Sequence, residues 1–137
     1  RKTMDEILER LEGLGYAQPV GTTTKLRDTQ TGVKIEFLIT GSFPGDGKPK
    51  TVAFPDPKDT STEIDGIRYL NLPQLLNLKL ASGMTAAHRL KDLADVQELI
   101  GALKLPRETV SQLHPYVRDK YIELWTAVQN APPESRP

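Results

Sequence analysis

Residues 79–84 read KLASGM and residues 89–95 read RLKDLAD. Five charged residues lie in these two segments, on or beside helices that are otherwise apolar: Lys79, Arg89, Lys91, Asp92 and Asp95. A helix that only needed a hydrated surface would place its charges on one outward face. Here the charges flank a short helix break that the pair Ser82-Gly83 predicts. The pattern therefore predicts a charged corner where two helices meet.

The composition excludes several classes of protein. The 137 residues fit one domain, which we predict over residues 1–130. Lys plus Arg and Asp plus Glu both number 18, so no net field attracts nucleic acid. The absence of cysteine excludes a disulfide scaffold, a thiolate zinc site and a cysteine nucleophile. No apolar run approaches the roughly 20 residues of a membrane span. We therefore expect a cytoplasmic protein with no membrane partner.

The first half of the chain predicts one helix and two hairpins. Capping-box spacing and apolar residues every three or four positions predict a helix over residues 3–14. Alternating apolar residues predict strands at 25–28 and 33–40, joined by a turn. The pair Asp65-Gly66 is a strong signal for a second, two-residue hairpin turn. These elements predict a small, mostly antiparallel sheet.

The second half predicts a helical cluster. A helix is expected from Pro73 to about residue 82, interrupted by Gly83, and a longer one over residues 86–103. Two more are expected over residues 107–113 and 115–128. Six residues of the longer helix are predicted to face inward: Leu90, Leu93, Val96, Leu99, Ile100 and Leu103.

The predicted fold class is α+β, with flanking helices and a helical C-terminal cluster. Residues 131–137, which include three prolines, are predicted to form a disordered tail.

The order and spacing of five segments carry a resemblance to a known superfamily. They are GVKIEFLI, PGDGKPK, VAFPDP, DGIRYLNLPQLLNLKLASGM and RLKDLADVQELI, all between residues 32 and 100. Together they resemble the C-terminal part of polymerase-beta-type nucleotidyltransferases, in the branch of abortive-infection toxins and minimal nucleotidyltransferases. The resemblance implies a mixed sheet flanked by helices, with a helical C-terminal portion, and so a small sheet that is mixed but mainly antiparallel. It also implies that active members hold two Mg²⁺ ions with three carboxylates.

Glu36 matches the third of these carboxylates, which makes it the candidate catalytic residue and Mg²⁺ ligand. The first two carboxylates of the superfamily form an Asp-x-Asp pair after a Gly-Ser or Gly-Gly turn, and no such pair is present. Gly41-Ser42 follows Glu36 instead of preceding an Asp-x-Asp pair. The chain is therefore expected to lack the first helix and the Asp-x-Asp strand. The strand pattern alone favours a solvated Glu36 at a sheet edge.

The charged corner has two interpretations. In the first, four residues bind a nucleotide phosphate and two carboxylates orient them: Lys79, Ser82, Arg89 and Lys91 with Asp92 and Asp95. In the second, a half-buried salt-bridge cluster locks the helices together, and this is favoured for the two carboxylates. The loop at residues 45–50 has glycines and lysines that could hold phosphate, although a mobile surface loop is favoured. His114, before Pro115, is expected to cap a helical turn.

Three functions follow from these observations. The first is a nucleotidyltransferase-like domain without a complete carboxylate set, which binds a nucleotide or a protein. The second is an active nucleotidyltransferase that moves NMP from an NTP to protein or RNA with Mg²⁺. The third is an antitoxin-like or regulatory interaction protein. A domain without its first strand leaves a sheet edge bare, so a homo-oligomer is also expected.

Overall fold

The computed structural model describes residues 2–132. The chain divides between Ile39 and Thr40 into two compact units. This division into compact units does not test the expectation of one domain over residues 1–130, which stays a prediction. The predicted disordered tail lies outside the described residues from position 133 onward.

The first unit contains one helix and a three-stranded antiparallel sheet. Helix α1 spans Lys2–Leu11, and the strands are β1 (Tyr16–Ala17), β2 (Lys25–Asp28) and β3 (Lys34–Glu36), in the order β1-β2-β3. Helix α1 ends three residues before the predicted end at Leu14, because Gly13 has a φ of +76° that a right-handed helix cannot contain.

The second strand of the predicted first hairpin is shorter than expected. It was predicted over residues 33–40, whereas β3 covers only Lys34–Glu36. Its neighbour β2 begins at Lys25, opposite Glu36, and one further bond joins the Phe37 amide to the Thr24 carbonyl. Residues after Phe37 have no partner in β2. The alternation of apolar residues in the sequence therefore continues past the end of the paired strand.

The second unit begins with a loop and then forms a hairpin. A single helical turn, α2 (Pro57–Thr60), precedes β4 (Ser61–Ile64) and β5 (Ile67–Leu70). The turn pair has positive φ at both positions, 51° and 76°, as a type I′ turn requires, which confirms this hairpin. Every strand pair among residues 2–132 is antiparallel, so the α+β class is confirmed but the mixed component of the sheet is not found there.

Three long helices form the core of the second unit, which confirms the predicted C-terminal helical cluster. They are α3 (Leu72–Thr85), α4 (Leu90–Ala102) and α5 (Arg118–Asn130). Short 3₁₀ turns at Ala87–Arg89, Arg107–Gln112 and Pro115–Val117 connect or precede them. Residues with an exposure below 2% fill the space between the helices: Leu76, Leu80, Val96, Ile100, Leu113, Val117 and Tyr121.

The prediction that Gly83 interrupts α3 is wrong. The helix continues through Gly83 to Thr85 and ends at Ala86, whose backbone is extended. A Cβ built on Gly83 would lie 2.5 Å from Cγ of Leu93 on α4. Glycine therefore serves here to let α3 and α4 approach closely, which is a tertiary requirement that local sequence does not show.

Two of the six residues predicted to face the core do not do so. Leu90 is 65% exposed and Leu103 is 53% exposed. The 3₁₀ turn at Ala87–Arg89 delays the start of α4, so Leu90 is its first residue and Leu103 lies beyond its last. Both positions lie at the ends of α4, outside the middle of the helix that packs against α3 and α5.

Candidate functional site

The charged corner is a continuous network of hydrogen bonds, here called the Asp92 cluster: Lys79, Ser82, Arg89, Asp92 and Asp95. Asp92 lies at its centre. One carboxylate oxygen, Oδ2, accepts from Ser82 Oγ at 2.6 Å and from Arg89 Nε at 2.8 Å. The other, Oδ1, accepts from Lys79 Nζ at 3.4 Å. The prediction that lysine, arginine and aspartate meet at one corner is therefore confirmed.

Helix geometry explains why these residues meet. Lys79 and Ser82 are three positions apart on α3, so they lie on one face of that helix. Asp92 and Asp95 have the same spacing on α4, and Lys79 Nζ also donates to Asp95 Oδ2 at 2.6 Å. Arg89 comes from the 3₁₀ turn that joins the two helices. The close approach at Gly83 brings the two faces within hydrogen-bond distance.

Two opposing effects act on the carboxyl group of Asp92. Its side chain is only 8% exposed, and burial alone would raise its pKa. The hydrogen bonds from Ser82 and Arg89, with the charges of Arg89 and Lys79, outweigh burial and hold the pKa of Asp92 below its ordinary value. Asp92 is therefore an ionised, buried anchor for two cations at neutral pH.

The cluster has one open side. The side chain of Arg89 is 50% exposed, whereas that of Lys79 is 25% exposed. The hydrogen bonds of Arg89 use Nε, and none within residues 2–132 engages its two Nη groups. Two cations and two carboxylates balance each other, so the open side of the cluster has hydrogen-bond donors without excess positive charge.

Lys91 does not join the cluster, although the sequence grouped it there. It is exposed on α4, one position from Asp92 and thus about 100° around the helix. No ion pair connects its side chain to another residue of the described chain. A role for Lys91 in nucleotide binding stays a prediction, and its position makes it a useful control residue.

Glu36, the candidate catalytic carboxylate, lies in the first unit at the edge strand β3. Its side chain is 59% exposed and lies 3.5 Å from Nζ of Lys25, its cross-strand neighbour. This is the environment of a solvated glutamate in a surface ion pair. Among residues 2–132 no group of three or more His, Cys, Asp or Glu side chains could hold a metal ion. The roles of Glu36 and of Mg²⁺ therefore stay predictions.

The glycine-rich loop is tied to its surroundings. Lys50 Nζ donates to the Pro44 carbonyl at 2.7 Å and to Asp46 Oδ1 at 2.6 Å, and its side chain is 8% exposed. The bond from Lys50 is the main reason that the pKa of Asp46 is lowered. A Cβ on Gly45 would meet Oγ1 of Thr85 at 2.7 Å. Lys50 is thus committed within the loop, which removes one of the two lysines that the phosphate interpretation needs.

Sequence reasoning missed a polar cleft on another face of α3. It has a volume of about 410 Å³. Its lining includes Gln74 and Asn77 from α3, His114 from just before the Pro115–Val117 turn, and Arg118, the first residue of α5. His114 accepts from the Tyr116 amide through Nδ1 at 3.2 Å, which confirms its predicted capping role. The one local signal for this cleft was Asn77, a polar residue inside the apolar run LLNL.

No protein-family model, curated protein or solved structure matches the chain. The resemblance to nucleotidyltransferases therefore rests on the five sequence segments. Within residues 2–132, none of the helices combines the length and the apolar character needed to cross a membrane.

Proposed function

We propose that this chain is a nucleotidyltransferase-like module that binds a nucleotide phosphate at the open side of the Asp92 cluster and does not itself transfer the nucleotide. The observation that carries the proposal is the arrangement of Arg89. Its Nε is fixed by Asp92 and Ser82, while its two Nη groups have no hydrogen-bond partner within the described chain. A guanidinium held in this way presents a rigid pair of donors, which is suited to phosphate oxygens.

Lys79 supplies a second donor near this edge. Its Nζ carries three N–H groups, and two of them are directed to Asp92 and Asp95. The third is available to an anion, because the side chain is still 25% exposed. The two carboxylates hold the cations in place, so a bound phosphate does not have to order flexible side chains. This preorganisation supports binding in spite of the balanced charge of the cluster.

Binding without transfer is proposed because of the carboxylates. The superfamily needs three of them to hold two Mg²⁺ ions, and residues 1–137 contain no Asp-x-Asp pair. Asp92 is engaged by three donors, and Glu36 is beside Lys25. An active nucleotidyltransferase, with Glu36 as one ligand, remains the alternative. It would require further carboxylates from elsewhere in the chain or from a partner.

Calorimetric titration with ATP, GTP, CTP and UTP tests the binding. We expect one site per chain, weakened about tenfold by Arg89→Ala, which corresponds to the loss of one charge-assisted contact of about 1.4 kcal/mol. Lys91→Ala is the matched control, because it removes an exposed cation two positions further along the chain and outside the cluster. If the cluster alone forms the site, Lys91→Ala should leave the affinity unchanged. Equal effects of the two variants, or no binding of any NTP, would contradict the proposal.

Incubation with labelled NTPs tests the absence of transfer. With Mg²⁺ or Mn²⁺ and pooled protein and tRNA acceptors, we expect no incorporation of label. Incorporation that Glu36→Ala abolishes would overturn this part of the proposal and establish the active transferase. Incorporation that survives Glu36→Ala would indicate another catalytic carboxylate and would equally contradict it.

The β4–β5 hairpin supports a second candidate function, that of a self-associating interaction module. Ile64 pairs with Ile67 and Thr62 with Tyr69, so these four side chains share one face. Ile64, Ile67 and Tyr69 are 55%, 57% and 49% exposed. An exposed apolar face on a two-stranded sheet is suited to a second copy of the chain. Light scattering after size exclusion tests this, since a concentration-independent mass of 15.2 kDa would exclude it.

A further inference from the structure

The cleft on the second polar face of α3, here called the His114 cleft, is lined by polar side chains from three segments: Thr51, Gln74, Asn77, Gln112, His114 and Arg118. Asn77 and Lys79 are two positions apart on α3, so they point about 200° apart around the helix axis. The His114 cleft is therefore separate from the Asp92 cluster, and the proposed nucleotide site does not use it.

Asn77 gives the strongest indication that the cleft binds a ligand. It is only 5% exposed, and its Oδ1 accepts from the His114 amide at 2.8 Å. Its Nδ2 group donates to no residue of the described chain, yet no fully buried side-chain N or O atom among those residues lacks a partner. Nδ2 therefore retains contact with solvent, and Asn77 lines this cleft. Its two N–H donors are therefore available to an acceptor within the cleft.

His114 and Arg118 add further donors. Because His114 accepts at Nδ1, its neutral imidazole carries the proton on Nε2, which has no partner within residues 2–132. Arg118 is held by the carbonyls of Leu113 and Ser111 through Nε and Nη2, which leaves Nη1 unused within the same residues. The backbone thus fixes the guanidinium of Arg118 as Asp92 fixes that of Arg89.

The charge of the lining selects the ligand. Among the described residues that line the His114 cleft, Arg118 is the one with a permanent charge, and none is a carboxylate. A volume of about 410 Å³ is within the range of small-molecule sites. We propose that the His114 cleft binds a small ligand through an oxyanion, either a carboxylate or a phosphate, held by Asn77, His114 and Arg118. This proposal does not depend on the nucleotide site.

Amide-resolved NMR titration of the full chain tests the proposal. The probes are sodium acetate and sodium phosphate, each against sodium chloride at equal ionic strength. We expect at least one probe to give saturable shifts at the Asn77 side-chain amide and at residues 111–118. A response to acetate alone indicates a carboxylate ligand, and a response to phosphate alone indicates a phosphate ligand. Shifts that match those with chloride, for both probes, would overturn the proposal.

Two variants locate the binding. Gln74→Glu places a carboxylate in the lining without altering a hydrogen bond between described side chains, and it should weaken the affinity for the probe at least about fivefold by repulsion. Gln97→Glu makes the same change on α4, outside the lining, and should leave the affinity unchanged. Arg118→Gln should weaken the affinity about tenfold. If Arg118→Gln unfolds the chain, the comparison of Gln74→Glu with Gln97→Glu still tests the proposal. Equal affinities in Gln74→Glu and Gln97→Glu would contradict the proposal.

Discussion

Helix α3 has two polar faces, which differ in whether their polar atoms have hydrogen-bond partners. On one face, Lys79 and Ser82 belong to the Asp92 cluster, where each carboxylate and hydroxyl has a partner on the facing helix or on the turn between α3 and α4. On the other face, Asn77 has one polar atom bound and one free of partners within the described chain. The first face holds two helices together, whereas the second lines a cleft.

The difference shows why residue type is a poor guide to a binding site. The Asp92 cluster has the charged residues that drew attention in the sequence, but most of their bonding capacity is used internally. The His114 cleft has one permanent charge and several amides, and more of its donors remain available. Availability of donors and acceptors, not their number, determines what a ligand can bind. Arg89 matters in the Asp92 cluster because neither of its two Nη groups has a hydrogen-bond partner within the described chain.

The largest expected effect is on the close approach that creates the Asp92 cluster. Gly83→Val should destabilise the fold by about 2–3 kcal/mol, since its side chain would overlap Leu93. Urea unfolding measures this, and Ala94→Val, at an exposed position of α4, is the control that should cost well under about 1 kcal/mol. Similar stabilities of the two variants would show that the helices are not in such close contact.

The next effect concerns the centre of the cluster. Asp92→Ala should reduce the free energy of unfolding by about 1–3 kcal/mol, because it leaves Lys79 and Arg89 partly buried without their anion. Glu98→Ala, an exposed change on the same helix, should stay within about 0.5 kcal/mol of the unmodified chain. A loss below that value for Asp92→Ala would mean that the network does not lock the two helices.

The same carboxylate should make stability depend on pH. The native pKa of Asp92 is held below its ordinary value of 3.8, so the unfolded chain binds the proton first as the pH falls. Its contribution is complete above about pH 5 and is lost as the pH falls through the native pKa.

The stability difference between the unmodified chain and Asp92→Asn isolates this effect, because the lowered pKa values of Asp28 and Asp46 act in both proteins. We expect urea unfolding to show a difference that is constant from pH 7 to about pH 5 and shrinks below about pH 4. A difference that stays constant or grows down to pH 3 would contradict the assignment of Asp92 as an ionised anchor.

The smallest expected effect belongs to the cleft. Gln74→Glu should change the free energy of unfolding by no more than about 0.5 kcal/mol, because its side chain forms no hydrogen bond to another described residue and lies in the first turns of α3. Thermal or urea unfolding measures this beside the anion affinities. A marked destabilisation would show that the polar lining supports the fold, as the Asp92 cluster does, and would weaken the contrast between the two faces.

Local chemistry made part of the fold predictable. The strand at Lys25–Asp28 and the hairpin at Asp65-Gly66 were predicted correctly, because turn residues and alternation lie within a few positions of each other. Gly83 was misinterpreted, since the reason for glycine there is the side chain of Leu93 on another helix. Strand β3 was overextended because its length depends on where β2 begins.

The two sites also differ in how far apart their residues lie in the sequence, and therefore in how well they could be predicted. The Asp92 cluster was predictable because helix spacing and a short connection bring its members together within 17 positions of the sequence, residues 79–95. The His114 cleft was not, because Asn77 and His114 are 37 positions apart and meet only when α3 packs against the C-terminal segment. Among residues 2–132, Glu36 belongs to no group of three or more potential metal ligands, and this was equally unpredictable because such a group forms only in the folded chain.

The location of the response to ATP tests the central claim most directly. In an amide-resolved NMR titration of the full chain with ATP, we predict saturable shifts around Arg89, across residues 79–95. Arg89→Ala should raise the half-saturating ATP concentration about tenfold, and Lys91→Ala should leave it unchanged. Shifts confined to residues 111–118, or no saturable shift at all, would contradict the account, because the Asp92 cluster would then be a helix lock without a ligand.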